Sequence, residues 1–274
     1  ASVLGYFVHE KVERFEARPD KAVATPAFFG SFKVLKNHDL SVRAFYKRMF
    51  RMPTFNDLYY TDMGNAFLKP EYAEQFNVGL KYTRNFEKSP FMRMLDVSVD
   101  AYYNKITDKI IAYPKGQQFR WTMLNLGEVE IKGKNDVLNT QFSLGKLEVT
   151  TKFQYTYQKA IDITDPADTY YRDQIPYIPW HSGSAIMALS WGTWSLGYSF
   201  IYVGERYNQQ ENIIYNHTQP WYTSDMTLMK EIRWGKARLR FTAEVYNLFD
   251  QDYDVILNYP MPMRNYKFGL AVEL

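Results

Sequence analysis

Any chemistry in this chain has to start from few residues. Four histidines, His9, His38, His181 and His217, are scattered along it, and no two stand at metal-ligand spacing. Ser182 follows His181 directly, but adjacent strand residues point to opposite faces, so the two are no nucleophile–base pair. Cysteine is absent, which excludes thiol catalysis and disulfides and leaves the compartment open. No enzymatic activity, resident metal or cofactor is expected. Recognition chemistry is better represented. Tyr59, Tyr60, Arg120, Trp121, Tyr170, Tyr171, Arg206, Tyr207, His217 and Trp221 all fall in or beside long polar segments. Aromatic and Arg side chains are the usual anchors of binding surfaces. They read either as ligand contacts or as the rim of the structure that carries them. His217, beside Tyr215 and Trp221, is the histidine that could touch a haem or metal chelate.

The elements that would position these residues alternate with a period of two. Leu40, Val42, Ala44 and Tyr46 oppose Ser41, Arg43, Phe45 and Lys47, and Leu95, Val97, Val99 and Ala101 oppose Asp96, Ser98 and Asp100. Ala237, Leu239, Phe241, Ala243 and Val245 oppose Arg238, Arg240, Thr242 and Glu244. One face is apolar and the other polar and charged. Twelve strands are expected, at 3–16, 24–36, 40–51, 74–83, 92–112, 119–143, 147–160, 175–191, 194–207, 220–234, 236–249 and 264–274, with no helix. Short turns, such as Ser143–Lys146, Gly192–Thr193 and Trp234–Lys236, alternate with long segments at 51–73, 114–118, 161–172, 205–219 and 250–263. That sorting is the pattern of outer-membrane barrels.

Bulk properties agree. The 274 residues contain no run of ~18 apolar residues, so no membrane helix is expected, a test that barrels escape. Aromatics make up 18%, which suits girdles at two membrane interfaces. The net charge of +3 is too small to argue for nucleic acid. The fold class is therefore all-β, a transmembrane antiparallel barrel. Its inner charges, including Arg43, Lys47, Asp96, Asp100, Glu148 and Lys152, line a wet interior. Arg238 and Arg240 are candidates to face an acidic surface docked inside it.

Phe50-Arg51, Pro53, Leu58-Tyr59, Gly64-Asn65, Leu68-Lys69-Pro70-Glu71 and Gly79-Leu80-Lys81-Tyr82 form one segment that resembles the TonB-dependent outer-membrane transporter family. Ala243–Asp254 (AEVYNLFDQDYD) and Tyr259–Phe268 are similar to the family's final strands, and Ala101–Tyr113 and Ile175–Ser182 are weaker matches. Met263 stands where relatives often have Gly, and the chain ends on Leu274 rather than an aromatic. The resemblance implies about 12 strands of a probable 22-stranded barrel that closes around a plug. Residues 1–274 would then be a C-terminal portion, with plug and N-terminal barrel half absent. It further implies an active transporter in the outer membrane of a Gram-negative bacterium. Its cargo would be a large scarce nutrient such as a siderophore, haem or cobalamin. Its partners would be the TonB–ExbB–ExbD complex, acting through the missing plug, outer-membrane lipids and, as a candidate cap, a surface lipoprotein. The rivals are a self-contained 12-stranded autotransporter translocator or porin-like barrel, an outer-membrane hydrolase, and a soluble β-sandwich.

Overall fold

A computed structural model describes residues 1–9, 11, 20–35, 39–114 and 121–274. His38 with most of its expected turn, residues 10 and 12–16 of the strand expected at 3–16, residues 115–118 of the expected 114–118 loop, and Arg120 lie outside the described residues. In chain order the strands are β1 (Ser2–Val8), β2 (Lys21–Lys33), β3 (Asp39–Arg51), β4 (Glu71–Asn85), β5 (Met92–Pro114), β6 (Trp121–Leu144), β7 (Leu147–Asp162), β8 (His181–Trp191), β9 (Trp194–Val203), β10 (Arg206–Tyr207), β11 (His217–Thr218), β12 (Trp221–Trp234), β13 (Ala237–Tyr246), β14 (Asp254–Ile256), β15 (Tyr259–Pro260) and β16 (Asn265–Glu273). Twelve of them form one antiparallel sheet in sequence order, β1 to β9 followed by β12, β13 and β16. The pairs β10–β11 and β14–β15 stand apart within the long loops. Each neighbour in the large sheet is reached by a hairpin, and β1 and β16 are paired on one side only.

Gly145, Gly192 and Gly235 sit in three of the short turns with φ of 64°, 58° and 61°. Tight hairpins need this left-handed backbone, and no side chain at these positions would meet anything within 4 Å. Between the turns, residues directly opposite each other share a face, so each register defines rows across the sheet. Phe28, Tyr46, Phe76 and Tyr103 form one row on the outer face, with successive ring centroids 6.3, 4.8 and 6.3 Å apart. Arg43, Gly79, Asp100, Asn135 and Thr156 form a row on the inner face. Val78, Val99, Phe153, Phe241 and Phe268 are exposed on the outer face. An apolar surface running across twelve strands far exceeds what a soluble monomer shows, and hydrocarbon is its matching solvent.

The main buried cluster lies on the inner face near the long-loop end. Ala73, Ile106, Val129, Ile131 and Ala160 are capped there by Ile175, with Ile178 packed alongside. The segment expected to begin a strand at 175 therefore does not do so. Residues 175–178 fold over the inner face instead, and β8 starts at His181. Pro176 and Pro179 lack the N–H groups a central strand needs, and Tyr177 adopts φ 60°. Likewise β9 ends at Val203, and Arg206–Tyr207 pairs with His217–Thr218 rather than extending it. One short helix, α1 (Phe55–Tyr59), interrupts the first long loop, where none was expected; the Thr54 hydroxyl accepts from the Asp57 N–H while the Asp57 carboxylate accepts from the Thr54 N–H.

Candidate functional site

The loops at the long-loop end are built inward from the sheet and tied down by side chains bonded to backbone. In the segment between β3 and β4, Arg51 reaches Asp57 at 3.2 Å and Glu71 at 3.7 Å, and Glu71 also accepts from the Ile110 N–H at 2.9 Å. Asn65 donates to the Met123 carbonyl at 3.0 Å. Asn125 accepts from the Lys69 N–H at 2.8 Å and donates to the carbonyls of Asp108 and Lys69. Gly64 passes so close to the Leu58–Tyr59 backbone that a Cβ would stand 2.7 Å from it. Leu58, Leu68 and Ile110 are buried together beneath. Arg51, Pro53, Gly64, Asn65 and Glu71 thus shape the loop, which leaves Tyr59 and Tyr60 on its exposed surface.

The segments after β7 and β9 are bonded to each other. Gln174 is buried, takes Asn212 as acceptor for its N–H at 2.7 Å, and donates its amide to the Ile178 carbonyl at 2.5 Å. Asn212 returns bonds to the Gln174 carbonyl and from its own N–H to Asp173. Tyr113, at the tip of β5, bonds its hydroxyl to Gln209, and Trp121 packs on Tyr177 with centroids 6.0 Å apart. Arg206 is 3% exposed. Its guanidinium donates to the carbonyls of Val255 at 3.0 Å and Asp254 at 3.2 Å, which locks the β13–β16 loop onto this pair, while its Nε has no partner. Burial holds the Arg206 pKa below its usual value and pushes the Tyr177 and Tyr253 hydroxyls up. The base of the β13–β16 loop is fixed by Asn247, whose amide donates to Gln251 and Pro262 carbonyls and accepts from the Gln251 N–H.

Between these loops lies a cleft of about 330 Å³. Trp221 and Tyr253 stack on one side at 4.7 Å, His217, Thr218 and Gln219 form another, and Gln251, Asp252, Asp254 and Leu257 complete it. His217 approaches Glu205 at 3.3 Å and the edge of the Tyr207 ring at 5.6 Å. The cleft mixes flat apolar surface with donors and acceptors, and it holds no nucleophile–base pair. No group of three His, Asp or Glu among the described residues could hold a metal ion.

The structure brings His217 and Trp221 together at this cleft, with Tyr207 against His217. Tyr170 and Tyr171 are half-buried in the neighbouring loop, where burial and then Asp168 raise the Tyr170 hydroxyl pKa. Tyr59 and Tyr60 project from the other side of the mouth, and Arg206 lies beneath the surface as a tie between loops. Tyr253, Asp252 and Asp254 carried no signal beyond their place in a family-like segment. At the opposite, short-turn end, Arg238 and Arg240 do face inward, but each already has a carboxylate: Glu273 at 3.5 Å and Glu231 at 2.8 Å.

The sequence model of one family, described as TonB dependent receptor-like, beta-barrel, matches residues 8–248. Among curated proteins, the chain is 27% identical over 224 residues to the vitamin B12 transporter BtuB of Photobacterium profundum, covering 79% of this chain and 32% of that protein. It is 25% identical over 211 residues to the vitamin B12 transporter BtuB of Vibrio vulnificus, covering 74% and 29%. Among solved structures, the ferric preacinetobactin receptor BauA of Acinetobacter baumannii superposes with a TM-score of 0.67 at 15% identity, over 94% of this chain and 37% of that one. The ferric-catecholate import receptor Fiu of E. coli gives 0.64 at 18% identity, over 92% and 36%. The chain thus spans about a third of the length of the curated relatives it matches.

Proposed function

The chain belongs to the TonB-dependent receptor family as part of its outer-membrane β-barrel, and from that premise we propose that it is the C-terminal portion of a receptor that binds a metal chelate or corrinoid at the cell surface and imports it. The observation that carries this reading is the mouth. Its loops fold inward, bond to one another and leave the stacked Trp221–Tyr253 pair beside His217 in an open cleft. Such a cleft grips one edge of a large flat ligand, and the remainder of a full barrel and its plug would supply the rest. Energy would come from the TonB–ExbB–ExbD complex pulling on that plug, which lies outside these residues. We put cobalamin first among the cargoes to test, ahead of ferric siderophores and haem, because two of the relatives the chain resembles are vitamin B12 transporters.

One observation favours this reading over a self-contained 12-stranded pore. Strands β1 and β16 do not pair with each other, so the sheet has two open edges, and lipid does not tolerate unpaired backbone. The open edges are where ten further strands would complete a 22-stranded wall. The test is equilibrium binding of cyanocobalamin, a ferric catecholate and haem to the full native protein purified from outer membranes, with Trp221→Ala beside it. One of the three should bind, and loss of the indole stacking surface should weaken it by ~10-fold or more. Failure of all three to bind, or unchanged affinity in Trp221→Ala, overturns the placement of the site. A native mass near that of these 274 residues overturns the larger barrel.

A further inference from the structure

The outer face of β6 departs from the apolar rule. Glu130, Lys132, Lys134 and Asp136 all point outward, because they share rows with Lys105, Tyr103, Ala101 and Val99 in turn. Lys132 stands directly opposite Lys159 on β7. Like charges so placed repel. Lys132 bonds to Glu130 at 2.8 Å, whereas Lys159 lies over the Trp180 ring and pairs with no carboxylate among the described residues. The neighbouring outward cations continue the belt: Lys134 over Tyr155, Lys105 near Glu128, Arg48 over Tyr72, and Lys21 over Tyr72 and Phe50. Six cations there (Lys21, Arg48, Lys105, Lys132, Lys134, Lys159) face four outward acids (Glu74, Glu128, Glu130, Asp136), which leaves a surplus of two positive charges.

Below the belt runs an apolar groove of about 750 Å³, walled by Phe28, Tyr46, Phe76 and Tyr103 and floored by Gly30, Ala44, Val78 and Ala101. The floor residues are consecutive partners across β2 to β5, and the next partner on β6 is Lys134. Three strand spacings make the groove ~14 Å long, and a fourth reaches Lys134 at ~19 Å. Barrel strands tilt, so a row across them climbs. Gly30 lies three residues from the short-turn end of β2 at Lys33, about 7 Å of depth, and Lys134 lies ten residues from the end of β6 at Leu144, about 23 Å. The groove therefore rises from within the hydrocarbon to the outer interface and ends among the lysines.

We propose that this groove and the lysine belt above it bind one phosphate-bearing lipid of the outer leaflet, with an acyl chain along Gly30–Ala101 and its phosphate at Lys132, Lys134 and Lys159. At the groove's head Lys132, Lys134 and Lys159 face Glu130 and Asp136, with Lys132 and Lys134 each paired at 2.8 Å and Lys159 left as the surplus cation, and this charge above the apolar lining matches an anionic amphiphile. A zwitterionic lipid would leave the surplus in place. The site is on the lipid side and is independent of the cargo.

The test uses the full native protein in nanodiscs of phosphatidylcholine, titrated with a diphosphorylated glycolipid, its dephosphorylated form and additional phosphatidylcholine, with bound lipid counted by native mass spectrometry. One diphosphorylated lipid should bind selectively. Lys132→Gln with Lys159→Gln should weaken it about 30-fold, from two cations at a membrane surface. Ala101→Trp, which fills the groove and keeps the charges, should also weaken it. Lys152→Gln, on the inner face, should not. Equal binding of phosphorylated and dephosphorylated forms, or equal loss in Lys152→Gln and the double variant, overturns the proposal.

Discussion

Gly79 is the position where one methyl group tests the inner face. It lies between Arg43 and Asp100 in a row across β3, β4 and β5. Arg43 reaches over it to Asp100 with two bonds, Nε at 3.1 Å and Nη2 at 2.5 Å. A Cβ on residue 79 would stand 2.1 Å from Asp100 Oδ1 and 2.9 Å from Arg43 Nε. Both atoms end flexible side chains, so Gly79→Ala should expel the ion pair and leave the strand in place. A two-bond charge-assisted pair is worth ~1.5–3 kcal/mol. Arg43 is 47% exposed and Asp100 12%, so solvent screening brings the expected loss to about 1–2 kcal/mol. The assay is urea unfolding of the full receptor refolded in phospholipid vesicles, run as a double-mutant cycle with Asp100→Ala. Without the carboxylate the new methyl group meets no oxygen. Alanine, which suits a strand better than glycine, should then be neutral or slightly stabilising. An equal penalty in both backgrounds would refute the reasoning, as would a Gly79→Ala variant as stable as the parent.

Arg in place of Val99 or Phe241, both on the outer face, should cost ~2–4 kcal/mol in the same vesicle assay, whereas Thr150→Arg on the inner face should be near neutral; similar costs on both faces would invert the orientation. Arg206→Met should strand the carbonyls of Asp254 and Val255, at a local cost of roughly 2–4 kcal/mol. Amide exchange in the β13–β16 loop should rise by at least ~30-fold with little change in the strands, and unchanged exchange there would remove Arg206 from its role as a tie. The Tyr177 and Tyr253 hydroxyls have folded pKa values raised above the unfolded value of about 10, with burial the main cause. Their contribution is complete below that value and is lost as pH rises through the folded pKa. Proteolysis of the mouth loops should therefore accelerate above pH ~10, and less so in Tyr177→Phe.

The strands were legible because membrane segments combine a strict period with hairpin turns, as in Leu147–Tyr157 and Ala237–Val245. The strand expected at 119–143 is β6, but which side of its upper half faces inward was not legible, because the pattern inverts there. Val129 and Ile131 are buried on the inner face under Ile175, while Glu130 and Lys132 point outward into the headgroup region. A strand of 24 residues outruns the ~9–11 that a bilayer requires, and its upper part answers to a loop on one side and water on the other. Residue type also misleads at the mouth. Arg206 has the look of a ligand anchor, and only the fold shows it bonded to carbonyls almost fifty positions away. Asn125, Gln174 and Asn212 hold the loops by equally distant contacts that no local pattern reveals. The capping pair Thr54 and Asp57 did carry a local signal, a Thr followed three residues later by an acid.

The inversion along β6 also bears on how the mouth works. Above the membrane the inner face is dry, and the loops that cover it are joined by bonds to backbone rather than by interchangeable surface contacts. A loop held in that way loses little conformational entropy when a ligand arrives, because the ordering cost has been met in folding. Tyr59, Tyr60, Phe55 and Phe67 stay exposed on this fixed base, and stability gives no reason for leaving large aromatics in water there. Replacing them should leave the melting behaviour of the barrel unchanged. If they serve recognition, the same substitutions change affinity, so the two readouts separate binding from scaffold at the rim of the mouth.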